Sequence, residues 1–376
     1  MNPLSHKISA IVLCTFLWVF QCDVSLNAAS SKEGKSGKGA KVLVDPNARD
    51  FYVARHSGNW DSDIWCLMPA NTYDAKLTEP QRGLRPVPDC NVEVNGPNVT
   101  LTLTGAVTLN KFRIVRDKGK LVIDKGGLMT LDREYFGQGG INTSGSVEVK
   151  SGGAMVVNGM FYLAGILLDC TGTGSFYQNG GDVTVNGTVF LTGPLTTSSS
   201  AQATGIYNLN AGALTIRPKD AKQPGLRNGI GRGTFNFAGG TLDSASVDLD
   251  IANAQKGNLS PGGDKAVGAC ALLSDEARTY TQGKDACFTV NVAGAKKFDA
   301  LLWTNRSKNA TVVLESGTTL RILPLDNYRP VRGATFDVIK ADRLEVGGPL
   351  RLEGPDAAQF TYEVVQGTPA VLRLKY

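Results

Sequence analysis

The chain has 376 residues, 44 of them glycine, with 19% charged residues and a formal net charge of +5. That length admits a large core or two domains. The charge is too mild for a dedicated nucleic-acid protein, which clusters Lys and Arg on one face, and the absence of Cys-x-x-Cys with one histidine beyond residue 6 argues against a Cys/His zinc site.

Lys7 gives a short positive start, Ile8 to Phe20 is an apolar run of thirteen residues, and small residues follow through Ala28 and Ala29. The run is shorter than the ~20 residues of a membrane span and has the length of a signal-peptide core. Residues 1–29 are therefore expected to be an export signal, leaving no membrane span in the mature chain. Residues 30–41 are Lys, Gly and Ser in low complexity and read as a flexible tether.

Residues 42–96 read as an entry module around Ser57-Gly58-Asn59-Trp60-Asp61-Ser62-Asp63-Ile64-Trp65. Trp60 and Trp65 need burial, and the open end of a stacked fold needs a cap, so they are expected to serve one. The functional alternative is an aromatic platform that binds sugar. Asn59, Asp61 and Asp63 alternate like the start of a calcium loop, but the loop glycine and terminal glutamate are missing. No metal site and no cofactor are expected.

Five cysteines lie beyond the signal. Cys66 with Cys90, and Cys270 with Cys287, each bracket a local loop and are the expected disulfides of an exported chain, leaving Cys170 as a buried thiol.

Residues 97–264 carry the main pattern, short Val/Leu/Ile/Thr strands with glycine between them. Three twelve-residue units share one register: Gly174 to Val185, Gly205 to Ile216 and Gly233 to Ser244. Each is a glycine, an aromatic strand, a Gly-Gly or Ala-Gly corner and an aliphatic strand. Gly145 to Val157 is a looser copy with one inserted residue. A repeat at this period predicts an all-β solenoid with its copies stacked in register. Strand alternation places Phe176, Gln178, Tyr207, Leu209, Phe235 and Phe237 inward, with Val183, Val185, Leu214, Ile216 and Leu242 on the second strand. Asn208, Asn236, Asp182, Thr184, Thr215 and Thr241 then face out. The rival reading takes Asn179-Gly180-Gly181 as a hairpin turn, giving an antiparallel sandwich or barrel. In residues 265–376 the strands lengthen, which fits the last coils with a β-rich C-terminal cap, or a small β-sandwich.

These units, with Gly257-Asn-Leu-Ser-Pro-Gly262, Tyr280-Thr-Gln282, Phe298-Asp-Ala-Leu301 and Arg332-Gly-Ala-Thr-Phe-Asp-Val-Ile339, resemble exported repeat proteins of planctomycetes and related bacteria. Their repeats are similar to autotransporter-associated β-strand repeats, and the Gly58-Asn59-Trp60 and Trp65 pair resembles the start of such chains. The resemblance implies a right-handed parallel β-helix, a bacterial source and a secreted or cell-surface location.

Catalytic chemistry has few candidates. His56 is too isolated for a nucleophilic triad. Gly229-Ile-Gly231-Arg-Gly233 lacks the Lys-Ser/Thr ending of a phosphate loop and reads as a coil-to-coil turn. The enzyme alternative is a polysaccharide lyase or glycoside hydrolase using carboxylates on neighbouring coils, with Asp182, Asp243, Asp248 and Asp250 as candidates. The expected function is non-catalytic: a structural or adhesive surface protein whose partners are cell-surface polysaccharide or neighbouring surface proteins, with no nucleic acid.

Overall fold

The computed structural model describes residues 51–68, 79–95, 98–114, 118–132, 135–138, 144–164, 172–193, 202–220, 223–263, 265–274, 276–303 and 309–376. The expected signal, the tether and Cys170 lie outside them.

The described residues form an all-β solenoid. Each coil contributes one strand to each of three ladders, here called the first, second and third faces. One full coil is Thr173–Asn179, then Asp182–Val185, then Val189–Phe190. The next is Thr204–Ala211, Ala213–Ile216 and Leu226–Arg227. The first face is an eleven-stranded ladder running from Gly58–Asn59 to Arg343–Val346. The second and third faces join at the long strand Ala106–Ile114, whose start pairs with Leu128–Leu131 and whose end pairs with Tyr135–Gln138.

Within the repeats every strand pairs in parallel with the coils before and after it. Gly174 aligns with Gly205 and then Gly233, and Phe176 aligns with Tyr207 and then Phe235. The looser copy joins in the same register, with Gly145 opposite Gly174 and Val147 opposite Phe176. Thr173–Asn179 and Asp182–Val185 bond to neighbouring coils and not to each other, so the hairpin reading fails at this corner.

Alternation sorts the side chains as expected. The inward residues of the three units are all buried, while Asn208, Asn236, Asp182, Thr184, Thr215 and Thr241 reach solvent wholly or in part. The inward aromatics stack up the axis: Phe176 and Tyr207 are 4.8 Å apart between ring centroids at 20°, and Tyr207 and Phe235 are 5.5 Å apart. Contacts of this kind add about 0.5–1.5 kcal/mol each beyond area burial.

The repeat's leading glycine has a steric cause. A Cβ on Gly174 would lie 1.7 Å from the Leu163 carbonyl oxygen, and one on Gly205 would lie 1.6 Å from that of Leu191. At these two corners backbone ending the third face occupies the space a side chain would need, while at Gly233 the Asn228 side-chain oxygen, 1.9 Å from the position of a Cβ, does so. The corner after the first face asks for a different property. Gly212 and Gly240 sit at φ +82° and +68°, where a β-carbon is strained.

Two polar devices complete the stack. Inside, one column holds Gln178, Asn253 and Gln282, each donating its side-chain N–H to a nearby carbonyl: Gln178 to Gly181 and Ala213, Asn253 to Gly257, Gln282 to Thr319. Outside, amides bridge successive coils, as Asn186 does to Asn158 and Asn158 to Asp132, each at 2.7 Å.

The three ladders continue across residue 265 without a break; Ile251–Asn253 pairs with Thr279–Gln282, and Cys287–Gly294 pairs with Thr319–Pro324. Residues 265–376 therefore extend the stack. It finishes with Ala370–Lys375 set antiparallel between Thr335–Ala341 and Thr361–Val365. At the opposite end Phe51–Ala54 pairs antiparallel with Trp65–Met68 and parallel with Cys90–Val94.

That last arrangement corrects one expected disulfide. Phe51–Ala54 lies between the strands of Cys66 and Cys90, two strand spacings of ~4.8 Å apart and offset along the chain, so the 66–90 bridge cannot form. Cys270 and Cys287 are free buried thiols on strands that do not pair, which removes the 270–287 bridge as well. Burial pushes the Cys270 thiol up to about 12, with the Asp243 charge adding to it.

Candidate functional site

The outward side of the first face is where the structure offers a ligand room. Outward positions repeat at every coil, ~4.8 Å apart along the axis. One column runs Thr100, Lys120, Ser146, Ser175, Ile206, Thr234. The column beside it runs Thr102, Val122, Glu148, Tyr177, Asn208, Asn236, Ala252, Thr281. Hydroxyls and amides predominate in these rows, with Lys120, Glu148 and the Tyr177 ring among them and Val122, Ile206 and Ala252 as apolar interruptions.

Two open grooves lie along this side. The first is bordered by Thr100, Lys118, Lys120, Ser146, Ser175 and Tyr177. The second, further along the stack, is bordered by Thr234, Asn236, Asp250, Arg278 and Thr281. Tyr177 is 40% exposed, much for a ring on a strand, and it stands among small side chains. Lys118 holds a left-handed turn at φ +57° just before the strand that carries Lys120. Lys120 donates to Glu148 at 2.7 Å, and Asn179 donates to the other oxygen of Glu148 at 3.0 Å. The Lys120 bond, chiefly, holds the Glu148 carboxyl below its ordinary range. Around the corner Lys150 pairs with Asp124 at 2.9 Å.

The residues singled out from sequence are placed otherwise. Trp60 and Trp65 are 6% and 0% exposed and meet edge to face at 5.1 Å, with the Trp65 indole N–H donating to the Trp60 carbonyl at 2.9 Å. Both rings are core and neither lies open as a sugar platform, although Trp60 borders a groove with Pro86, Val87 and Pro88. Asp63 accepts hydrogen bonds from the Gly83 amide (2.9 Å) and from Arg85 (2.8 Å), pinning the entry loop.

The four aspartates do not converge. Asp182 begins a second-face strand and accepts from the Ala213 amide at 3.3 Å. Asp243 is also on the second face, but in the column of Thr184 and Thr215, two residues along from that of Asp182. It is buried, pairs with Arg217 and accepts from the Gly262 amide at 2.8 Å. Asp248 is on the third face, paired with Arg278 at 3.1 Å. Asp250 precedes a first-face strand and accepts from the Thr279 amide at 2.6 Å. Each carboxylate is engaged in holding the fold, and the four are spread over three faces. Gly229–Gly233 is a corner whose amides bond the neighbouring coil, Gly229 to the Thr192 hydroxyl and Ile230 to the Gly193 carbonyl.

One polar cluster escaped the sequence reading. Asp299 is fully buried and accepts from the Gly268 amide (2.7 Å), the Asn291 amide (3.0 Å) and the Asn291 side chain (2.8 Å). Asn291 also donates to the Gly263 carbonyl at 2.7 Å, so both residues tie down the loop that follows Ser260. Burial pushes the Asp299 carboxyl up to about 7, against its hydrogen bonds, and the Asp243 charge adds to the rise. Nothing in the local pattern Lys297-Phe-Asp-Ala300 reveals this, because Asn291 meets Asp299 only through the antiparallel pairing of Val292 with Phe298, and Gly268 lies a coil away.

Among the described residues no group of three His, Cys, Asp or Glu side chains is placed to hold a metal ion, and no helix is long and apolar enough to cross a membrane. The fold and this site define a parallel β-solenoid repeat protein with one long polar outer face. In comparisons with known proteins, no family model matches the chain and no curated protein matches it.

Proposed function

We propose that this protein is a non-catalytic, exported structural or adhesive solenoid that works at the cell surface or outside the cell. In this reading it is a right-handed helix of the autotransporter-associated repeat type, and the outer side of the first face makes many weak contacts with polysaccharide at once. The observation that supports it is the pair of open grooves on one continuous ladder, bordered by hydroxyls, amides and the exposed ring of Tyr177. A stiff surface with a regular period suits an extended repeating polymer, because each added contact is intramolecular once the first is made. The dispersal of Asp182, Asp243, Asp248 and Asp250 favours adhesion over hydrolysis.

The test is incubation of the purified chain with a panel of acidic and neutral polysaccharides. Binding without new reducing ends or unsaturated products is the expected result. Chain cleavage would replace the adhesive reading with an enzymatic one.

A further inference from the structure

We infer that the groove around Tyr177 selects acidic polysaccharide, with Lys118 and Lys120 reading the negative charge and the Tyr177 ring carrying the sugar face. The inference rests on the adhesive reading above and deepens it.

No carboxylate borders this groove. Its border is Asn98, Thr100, Lys118, Lys120, Tyr177 and a row of small hydroxyl and glycine positions, with two cations among them. The nearest acid, Glu148, stands one column over and turns one oxygen to Lys120 and the other to Asn179. Lys118 is exposed, and no ion pair of it with another described residue is found. The second groove is different in kind. It pairs an acid, Asp250, with Arg278, and Arg278 is already held by Asp248. The first groove therefore offers an anion one cation with no carboxylate partner among the described residues, Lys118, beside Lys120, whose charge is shared with Glu148.

Geometry fixes the mode of binding. Lys120 and Ser146 are register neighbours in one column, and Glu148 and Tyr177 are neighbours in the next. A chain laid along the axis thus meets charge, then hydroxyl, then the aromatic ring within three coils. The ring offers an apolar face to the C–H side of a pyranose, while Ser146, Ser175 and Thr100 supply hydrogen bonds at the edges. Lysine suits this task because its compact ammonium adapts to carboxylate or sulfate without a fixed fork. Steering by such exposed charge weakens with salt.

The experiment measures binding of the full chain to dextran sulfate, to polygalacturonate and to uncharged dextran, by affinity electrophoresis at low and high salt. Comparison is made with Lys118→Gln/Lys120→Gln, with Tyr177→Ala, and with a control of equal charge loss elsewhere, Lys256→Gln/Lys297→Gln. Both acidic polymers should be retarded more than dextran. The groove lysine pair should lose about fivefold in affinity, about 1 kcal/mol, most of it from Lys118, because Lys120 shares its charge with Glu148. Tyr177→Ala should weaken all binding, and the control pair should change little. Sulfate-only or uronate-only retardation assigns the anion and supports the groove, provided the groove lysines are needed. Equal losses in the groove and control pairs would overturn it as net-charge attraction. Equal binding of dextran and the acidic polymers would overturn the selectivity while leaving polysaccharide adhesion standing. Binding of none would overturn both readings. Thermal unfolding of each variant, with an unchanged midpoint, separates lost contacts from lost fold.

Discussion

Replacing Gly205 by alanine tests why the repeat begins with glycine. The new Cβ would sit 1.6 Å from the Leu191 carbonyl oxygen and 2.5 Å from its carbon. An ordinary contact needs about 3.5 Å, so the corner and the strand must part by roughly 2 Å. The atoms in the way are backbone, which no rotamer change can move. Leu191 is tied through its own amide to Arg227 at 3.0 Å, and Thr204 to Gly172 at 3.1 Å. A shift of that size breaks one or two such bonds at about 1 kcal/mol each and loosens the packing beside Tyr207. The expected cost is roughly 2–4 kcal/mol, in the range reserved for named core defects. Gly105→Ala is the control, since nothing lies within 4 Å of its Cβ, and it should stay within about 0.5 kcal/mol. Urea unfolding followed by circular dichroism, with hydrogen exchange of the Thr204–Ala211 amides, reads both. Equal midpoints for the two variants would show that the corner tolerates a side chain and that the stated reason for the repeat is wrong.

Tyr207→Phe should destabilise by about 1–3 kcal/mol, because it strips Gln178 Oε1 of a buried 2.7 Å hydrogen bond while keeping the ring stack; an unfolding midpoint equal to wild type contradicts this. Asp299 gives a pH dependence whose sign runs opposite to the usual carboxylate. Its folded value is raised to about 7 from an ordinary 3.8, so the folded state holds the proton more tightly. This site's contribution is full below pH ~4 and declines as pH rises through ~7, by at most on the order of 4 kcal/mol. Asp299→Asn should flatten that part of a stability profile taken from pH 4 to 8, and an unchanged slope would count against it. Cys270 and Cys287 should resist iodoacetamide at pH 8 in the folded protein and react on unfolding, since burial raises both thiols. Modification of both in the native state, read by peptide mass spectrometry, would show that the sheet opens there.

The sequence alone determined the repeat and its period: matched glycines and aromatics recur a full coil apart, and Phe176, Tyr207 and Phe235 lie over one another. Pairing between coils, and not across the Gly180-Gly181 corner, decided the stack against the hairpin. Alternation along each strand then settled which residues face the core, because the period of two is a local property of the backbone. What it did not determine is everything that depends on how coils are offset and on what covers an outward position. The leading glycine was legible as a signature, yet the carbonyls that demand it at Gly174 and Gly205 come from the segment before, around a corner. Trp60 and Trp65 read as parts of a cap, with a sugar platform as the alternative, and their burial and mutual packing place them in the core. Cys66 and Cys90 bracket a short stretch of chain, but a strand threads between them. Asp182, Asp243, Asp248 and Asp250 were candidates for a shared carboxylate site, and the fold spreads them over three faces. The grooved face, with Tyr177 beside Lys120, arises because residues far apart in the chain become neighbours when coils stack. Local pattern fixes which way a side chain points; only the assembled ladder fixes what it meets.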